Sequence, residues 1–539
     1  MNSLMPPFDA LHYPYASRRN VVYAKRGMVA TSQPLAAQAG LQVLQAGGNA
    51  IDAAIATAAA LTVVEPTANG IGGDAFALVW HQGKLHGLNA SGPAPMGMTL
   101  DKVTSLGHTE VPKYGPLAVT VPGTPAAWAA LAERFGRLPL TTSMAGAIEL
   151  AQEGFPVSPS VAFAWQQATA VFRQHFKDDH FKHWFDTFAP ERAPVAGELW
   201  RSEGHARTLQ AIAETGAQSF YRGPLAEQIS AFVQSAGGYL STQDLADYRV
   251  DWCQPISTHY RGYDVWEIPP NGHGLVALMA LNILKGFEFT DRDNLLTHHR
   301  QIEAIKLAFA DGLAHIADPA HMRISVADLL SDGYAHERRA LIGERASLPL
   351  PGAPSRGGTV YLSTADSEGN MVSLIQSNYM GFGSGMVVPG TGIGLHNRGN
   401  NFSLKAEHPN CLAPGKRPYH TIIPGFLTQG GQAVGPFGVM GGFMQPQGHV
   451  QMVMNTVDFG LNPQASLDAP RWEWESAKRV NIERATPEHL FHGLARLGHD
   501  VSWSNNRIAF GRGQIIWRDA HGVLCGGTEP RTDGAVAAW

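Results

Sequence analysis

The sequence predicts a layered fold of helices and sheets, of the α/β or α+β type. Three observations in the 539 residues support this. An alanine-rich apolar run, Ile51 to Val64, has the length of a buried helix. Residues 125–235 read mainly as helices. Two runs rich in β-branched and aromatic residues, Thr359–Asp366 and Met371–Ser377, flank the turn Ser367–Asn370 and read as a hairpin. Both arms are largely apolar, which puts the hairpin deep in a sheet covered on both faces.

In chain order, residues 1–20 are rich in proline and tyrosine and read as an extended arm, followed by a strand-like Asn20–Tyr23. Ser32 can cap a helix with Pro34 in its first turn, and Gly47-Gly48 ends it. Asn49 can cap the alanine-rich helix, which Glu65-Pro66 stops near Val64. Gly70–Asp74 (GIGGD) is a backbone-permissive loop that leads into a strand, Ala75–Trp80. Helices are predicted at Pro125–Arg134, Ser143–Glu153, Gly274–Lys285 and His298–Ala314, and a strand at Tyr263–Ile268. After the hairpin come further strands and a helix near Gln447–Asp458.

Composition excludes several classes. Hydrophobic residues are 44% and charged residues 16%, a globular balance rather than a disordered one. A net charge of −5 without a basic run gives no footprint for nucleic acid. The longest apolar run carries Asp52 and falls short of the roughly 20 residues a membrane span needs. Cys253, Cys411 and Cys525 are far apart and in no CxxC pairing, so neither a disulfide framework nor a zinc ribbon is expected. A reducing, cytoplasmic setting fits this, and no charged and apolar leader is seen. No cofactor or metal is expected: the tract His175, Asp178, Asp179, His180 and His183 lacks ligand spacing and reads as a solvated helix face, and His298-His299 reads as surface.

The least structured stretch is Ala346–Gly358, with three prolines and three glycines in 13 residues; it reads as a linker or exposed loop. It leads into Thr359. One reading of Thr359 is an ordinary strand threonine. The other is chemical: if the Gly358–Thr359 bond breaks, Thr359 carries a hydroxyl and a free α-amine together. An α-amine has a pKa of about 7.7–8.0, so it can take the hydroxyl proton near neutral pH and return it to a leaving group.

The run Gly357–Ser377, continued by Phe382–Ile393, resembles the start of the small subunit of γ-glutamyltranspeptidases. Upstream, Gly48–Ala54 (GNAIDAA), Gly70–Gly73, Val121–Thr124 (VPGT), Asp244–Tyr248 and Glu303–Asp311 resemble family segments in the family's order. Downstream the same holds for Gly441-Gly442, Gln451–Asn455, Asp468–Arg471 and Pro530–Gly534. The resemblance implies a four-layer αββα sandwich of the N-terminal-nucleophile hydrolase type, of α+β class. It implies autocatalytic cleavage after Gly358 into chains 1–358 and 359–539, which together form one domain. It also implies Thr359 as nucleophile and an oxyanion hole from the amides of Gly441 and Gly442. Glycine suits that role because the backbone can approach the intermediate closely.

Several positions depart from the family. Ser91 stands where an arginine grips the substrate α-carboxylate, and Asn401 where an aspartate holds its α-amine. Tyr379 replaces an asparagine, His420-Thr421 replaces a serine pair, and the lid segment before Arg417-Pro418 is short. A zwitterionic head buried without partners costs several kcal/mol. Arg398 and His420 are candidates to receive an acyl-chain carboxylate instead; a structural contact is the other reading of Arg398. With Ser377, these residues make the candidate substrate site. The expected partner is a small γ-glutamyl or acyl amide, with glutaryl- or cephalosporin-type acylase activity as the alternative and an uncleaved, silent binding homologue as the alternative of another class.

Overall fold

The computed structural model describes residues 14–16, 19–349 and 358–539. Most of the predicted arm and residues 350–357 of the predicted linker lie outside the described residues.

The hairpin predicted from Thr359 onward forms the middle of a sheet. Its arms are Gly358–Asp366, the threonine strand, and Met371–Tyr379, the partner strand. The partner strand is buried along its whole length. The order across this seven-stranded sheet is Ala535–Ala538, Gly27–Thr31, threonine strand, partner strand, Asp74–His81, Lys84–Ala90, Asp251–Cys253. A second seven-stranded sheet runs Val22–Ala24, Leu524–Thr528, Arg512–Arg518, Gln432–Met440, Gly425–Gln429, Tyr263–Glu267, Ile256–Tyr260. Every pairing within both sheets is antiparallel.

The sheets pack face to face. Close glycine contacts fix how they meet. A Cβ on Gly438 would lie 2.5 Å from the Tyr361 ring, and one on Gly435 would lie 3.1 Å from Met371 Cε, beside Ala365 in the ladder. Going from Gly435 to Gly438 therefore runs from the Ala365 level toward the Tyr361 level. Continuing the same way, the strand Gln432–Met440 delivers Gly441-Gly442 to the Thr359 end of the sandwich.

Helices cover both outer faces. Pro34–Gln45 and Ala50–Val64 pack on the sheet of the threonine strand, with Leu140–Glu153 behind them. Gly274–Leu284, Met444–Val457 and Pro463–Asp468 pack on the second sheet, with Leu295–His315 behind. This is the expected αββα sandwich. Ala50–Val64 is buried at every position, which explains its lack of a polar face. Asn49 and Asp52 form a capping box at its start, as Asn49 in the sequence suggested.

Two readings are corrected. Gln33, not Ser32, caps Pro34–Gln45, its side chain accepting from Leu35 N–H at 2.7 Å. Ser32 instead donates to the buried carboxylate of Glu65 at 2.5 Å, a long-range partner no local pattern shows. His298 and His299 are buried, not surface, because their helix begins at Leu295 and packs on both sides. The tract around His175–His183 is largely exposed, as expected.

Candidate active site

Thr359 is 1% exposed. The ladder beside it is irregular: Gly358 faces Tyr379 but Val360 faces Gln376, so two steps on one strand match three on the other. Such a bulge bends a strand and re-aims its side chains. Tyr379 absorbs the distortion with φ at +73°, rare for a bulky residue. The bulge brings Thr359 Oγ1 to 3.1 Å from Ser377 Oγ. Ser377 Oγ also accepts the Tyr379 N–H at 2.8 Å, which fixes its position.

Gly441 and Gly442 follow directly on the strand Gln432–Met440 and precede the helix Met444–Val457. Their φ values, +139° and +61°, are ones L side chains rarely adopt. Neither N–H has an acceptor among the described residues, although both carbonyls accept from the following helix turn at 3.1 Å. Two unpaired amides at a helix N-terminus are suited to a negative oxygen.

Beside the hydroxyl pair lies a buried charge cluster. Asp74 sits opposite Ser377 in the ladder. Arg398 donates to it twice, Nε to Oδ2 at 2.9 Å and Nη2 to Oδ1 at 3.2 Å, and gives Nη1 to Thr421 Oγ1 at 2.8 Å. The guanidinium stacks on the Tyr379 ring, 4.5 Å from its centroid. His420 Nε2 lies 2.7 Å from Asp74 Oδ2, and His396 Nδ1 lies 3.4 Å from the same oxygen. Burial alone would raise the Asp74 carboxyl, but Arg398 and His420 hold it well below the usual carboxylate range. Burial, joined by Arg398, pushes the His420 imidazole down to about 4 against the pull of Asp74. The resting cluster is thus one anion, one cation and a neutral His420.

The other predicted residues are engaged within the protein. Ser91 Oγ donates to Asn89 Oδ1 at 2.7 Å and accepts from Asn271 Nδ2 at 3.2 Å. Asn401 gives its side-chain amide to Tyr419 O at 3.0 Å. The structure therefore gathers Thr359, Ser377, Tyr379, Arg398, His420 and Thr421 into one contact chain, and holds Ser91 and Asn401 in separate polar networks. Sequence reasoning missed Asp74 and His396. The available signal for Asp74 was a charge at the head of an otherwise apolar, buried strand, which demands a partner.

Among the described residues, His299, Glu303 and His499 have ligand atoms within 4.8 Å of one another. Lys306 Nζ stands 2.6 Å from Glu303 Oε1, so that buried carboxylate already has a cationic partner. His299 and Glu303 are one helical turn apart on Leu295–His315, and only His499 comes from a distant segment.

An αββα sandwich with glycine amides at the head of a buried threonine strand has the architecture of the amidohydrolases that use an N-terminal nucleophile. Within that class the chain belongs to the gamma-glutamyltranspeptidase family, whose profile matches residues 36–539. A solved cephalosporin acylase from Bacillus halodurans is 64% identical, with a TM-score of 0.95 and 99% of each chain covered. A glutathione hydrolase-like proenzyme of Bacillus subtilis is 35% identical over 96% of this chain and 99% of its own length. An oxamate amidohydrolase proenzyme of Klebsiella pneumoniae is 35% identical over 95% of this chain and 98% of its own. The enzyme reading of the sequence stands, in the branch of the family that contains acylases.

Proposed function

We propose that the chain is a precursor that cuts itself between Gly358 and Thr359 into chains 1–358 and 359–539, and that Thr359 is the nucleophile of the resulting amidohydrolase. The observation that carries this is the Thr359 hydroxyl, buried at the head of its strand and in hydrogen-bond contact with Ser377.

In the first reaction Thr359 Oγ attacks the Gly358 carbonyl. The C–N bond breaks, the acyl group passes to oxygen, and water hydrolyses the ester to free the Thr359 amine. In the second, that amine takes the hydroxyl proton while Oγ attacks the substrate amide. Gly441 and Gly442 N–H groups stabilise the oxyanion, and the proton leaves with the amine product. Water then releases the acyl group; an amino acid as acceptor would give transpeptidation instead.

The substrate is a γ-glutamyl or related acyl amide. A second reading, a glutaryl- or cephalosporin-type acylase, is favoured by one feature: Ser91 and Asn401, at the positions that would hold an amino-acid head, are uncharged and bonded within the chain. Cys253, Cys411 and Cys525 are free thiols, which supports a reducing, cytoplasmic setting. No helix of the described residues is long and apolar enough to cross a membrane.

A denaturing gel tests the cleavage. Active protein should run as two fragments rather than one band at 57.9 kDa, and Thr359→Ala should remain whole. An active single band, or a Thr359→Ala protein that splits, refutes the proposal. Rates on γ-glutamyl and glutaryl anilides decide between the two substrate readings.

A further inference from the structure

Arg398 and Asp74 make a buried ion pair that the acyl-transfer steps leave unused. It lies next to the nucleophile by two routes. Asp74 is the cross-strand neighbour of Ser377, whose hydroxyl meets Thr359. Arg398 stacks on Tyr379, whose N–H donates to that same Ser377 hydroxyl. Both side chains of the pair are fully buried.

The geometry decides what this arginine can do. Its Nε edge is filled by the two oxygens of Asp74, the bidentate contact a carboxylate ligand would make. Nη1 is committed to Thr421. An acyl chain that ends in a carboxylate therefore meets a cation already neutralised, and it must compete with a carboxylate tethered in place. An acyl chain without charge meets an Asp74–Arg398 pair that carries no net charge. His420 and His396 approach Asp74 on Oδ2, the oxygen that also accepts from Arg398 Nε, and neither takes the place of Asp74 on that edge of the guanidinium.

We infer that Asp74 is a specificity-determining residue of the acyl subsite: it acts as an internal carboxylate on Arg398 and suppresses a preference for carboxylate-bearing acyl groups. This rests on the acyl-threonine reading above and deepens it, because it names the feature of the acyl group to which the subsite responds.

The test compares glutaryl and valeryl p-nitroanilides, which are close in length and differ in the terminal charge. Wild-type enzyme should favour glutaryl over valeryl by no more than about tenfold in kcat/KM. Asp74→Asn keeps the shape and frees the guanidinium, and should raise that ratio by at least about tenfold. Adding Arg398→Gln to Asp74→Asn should return the ratio to near its wild-type value. A wild-type preference of a hundredfold for glutaryl would overturn the inference without any variant, so it stays testable even where Asp74→Asn alone fails to fold. An Asp74→Asn protein with an unchanged ratio would overturn it, as would a raised ratio that persists in the double variant. If wild type turns over neither anilide and forms no acyl-enzyme with either, the acyl-threonine reading itself has failed and takes this inference with it.

Discussion

The hydroxyls of Thr359 and Ser377 lie 3.1 Å apart at a bulge where three steps along one strand match two along the other. Ser377 holds the Thr359 hydroxyl, and Tyr379 N–H pins the serine in turn. Ser377→Ala removes that partner from a buried site. Losing one such hydrogen bond is worth about 1–3 kcal/mol, so precursor cleavage and turnover should both slow by roughly tenfold to a hundredfold. A time course on a denaturing gel together with steady-state rates checks this. Normal rates for both would remove Ser377 from the mechanism.

Gly441→Ala should damage catalysis more than binding. Its φ of +139° is strained for alanine, and the added Cβ would sit 3.1 Å from Gly511 Cα, so the amide must move. Removing one oxyanion donor costs about 10²–10³ in kcat in comparable sites. The expected signature is a fall of that size in kcat with KM changed little. A loss confined to KM would contradict the assignment.

Asp366 ties the hairpin turn to the helix Ala50–Val64. Its carboxylate accepts from Ala50 N–H at 2.9 Å, from Asn370 Nδ2 at 2.8 Å, and from the backbone N–H groups of Glu368 and Asn370 at 3.0 Å. Asp366→Ala leaves buried donors unpaired and should cost about 3 kcal/mol. Urea unfolding should show a lower midpoint at unchanged slope. An unmoved midpoint would show that these bonds are replaced by water at no cost.

Acid should destabilise the fold through buried histidines. Burial pushes His205 down to about 4 from a usual 6.5. The unfolded chain then takes up a proton near pH 6.5 that the folded one refuses, so stability falls as pH drops from about 6.5 toward 4. Each such group contributes at most about 1.4 kcal/mol per pH unit across that window. His205→Asn should flatten this limb of a melting-temperature profile while leaving the region above pH 7 unchanged in slope. A profile as steep as wild type would assign the acid sensitivity elsewhere, His420 being the next candidate.

Much of this was legible in local pattern. The alanine-rich helix at Ala50–Val64 and the hairpin about Ser367–Asn370 are near-continuous signals of period and turn chemistry, whereas the glycine pair Gly441-Gly442 reads locally as a turn and stood out only through the family resemblance. Ser32 and His298-His299 were misread because burial and long-range partners, not their neighbours in sequence, decide their roles. Arg398 was recognisable as a candidate partner for an acyl-chain carboxylate, but not as one half of an ion pair. Its partner lies 324 positions away, and nothing in the spacing joins them.

The sequence by itself determined the layered class, the strand that Thr359 heads and, through ordered family segments, the hydrolase family. Those are properties of short runs, set by side-chain period and backbone permissiveness. Only the tertiary structure decided which groups stand beside Thr359. The bulge opposite Thr359, the face-to-face meeting of the sheets that delivers Gly441-Gly442, and the pairing of Asp74 with Arg398 all depend on distant segments brought within a few ångströms. Charge compensation in a buried site is a matter of distance in space, and distance in sequence does not encode it.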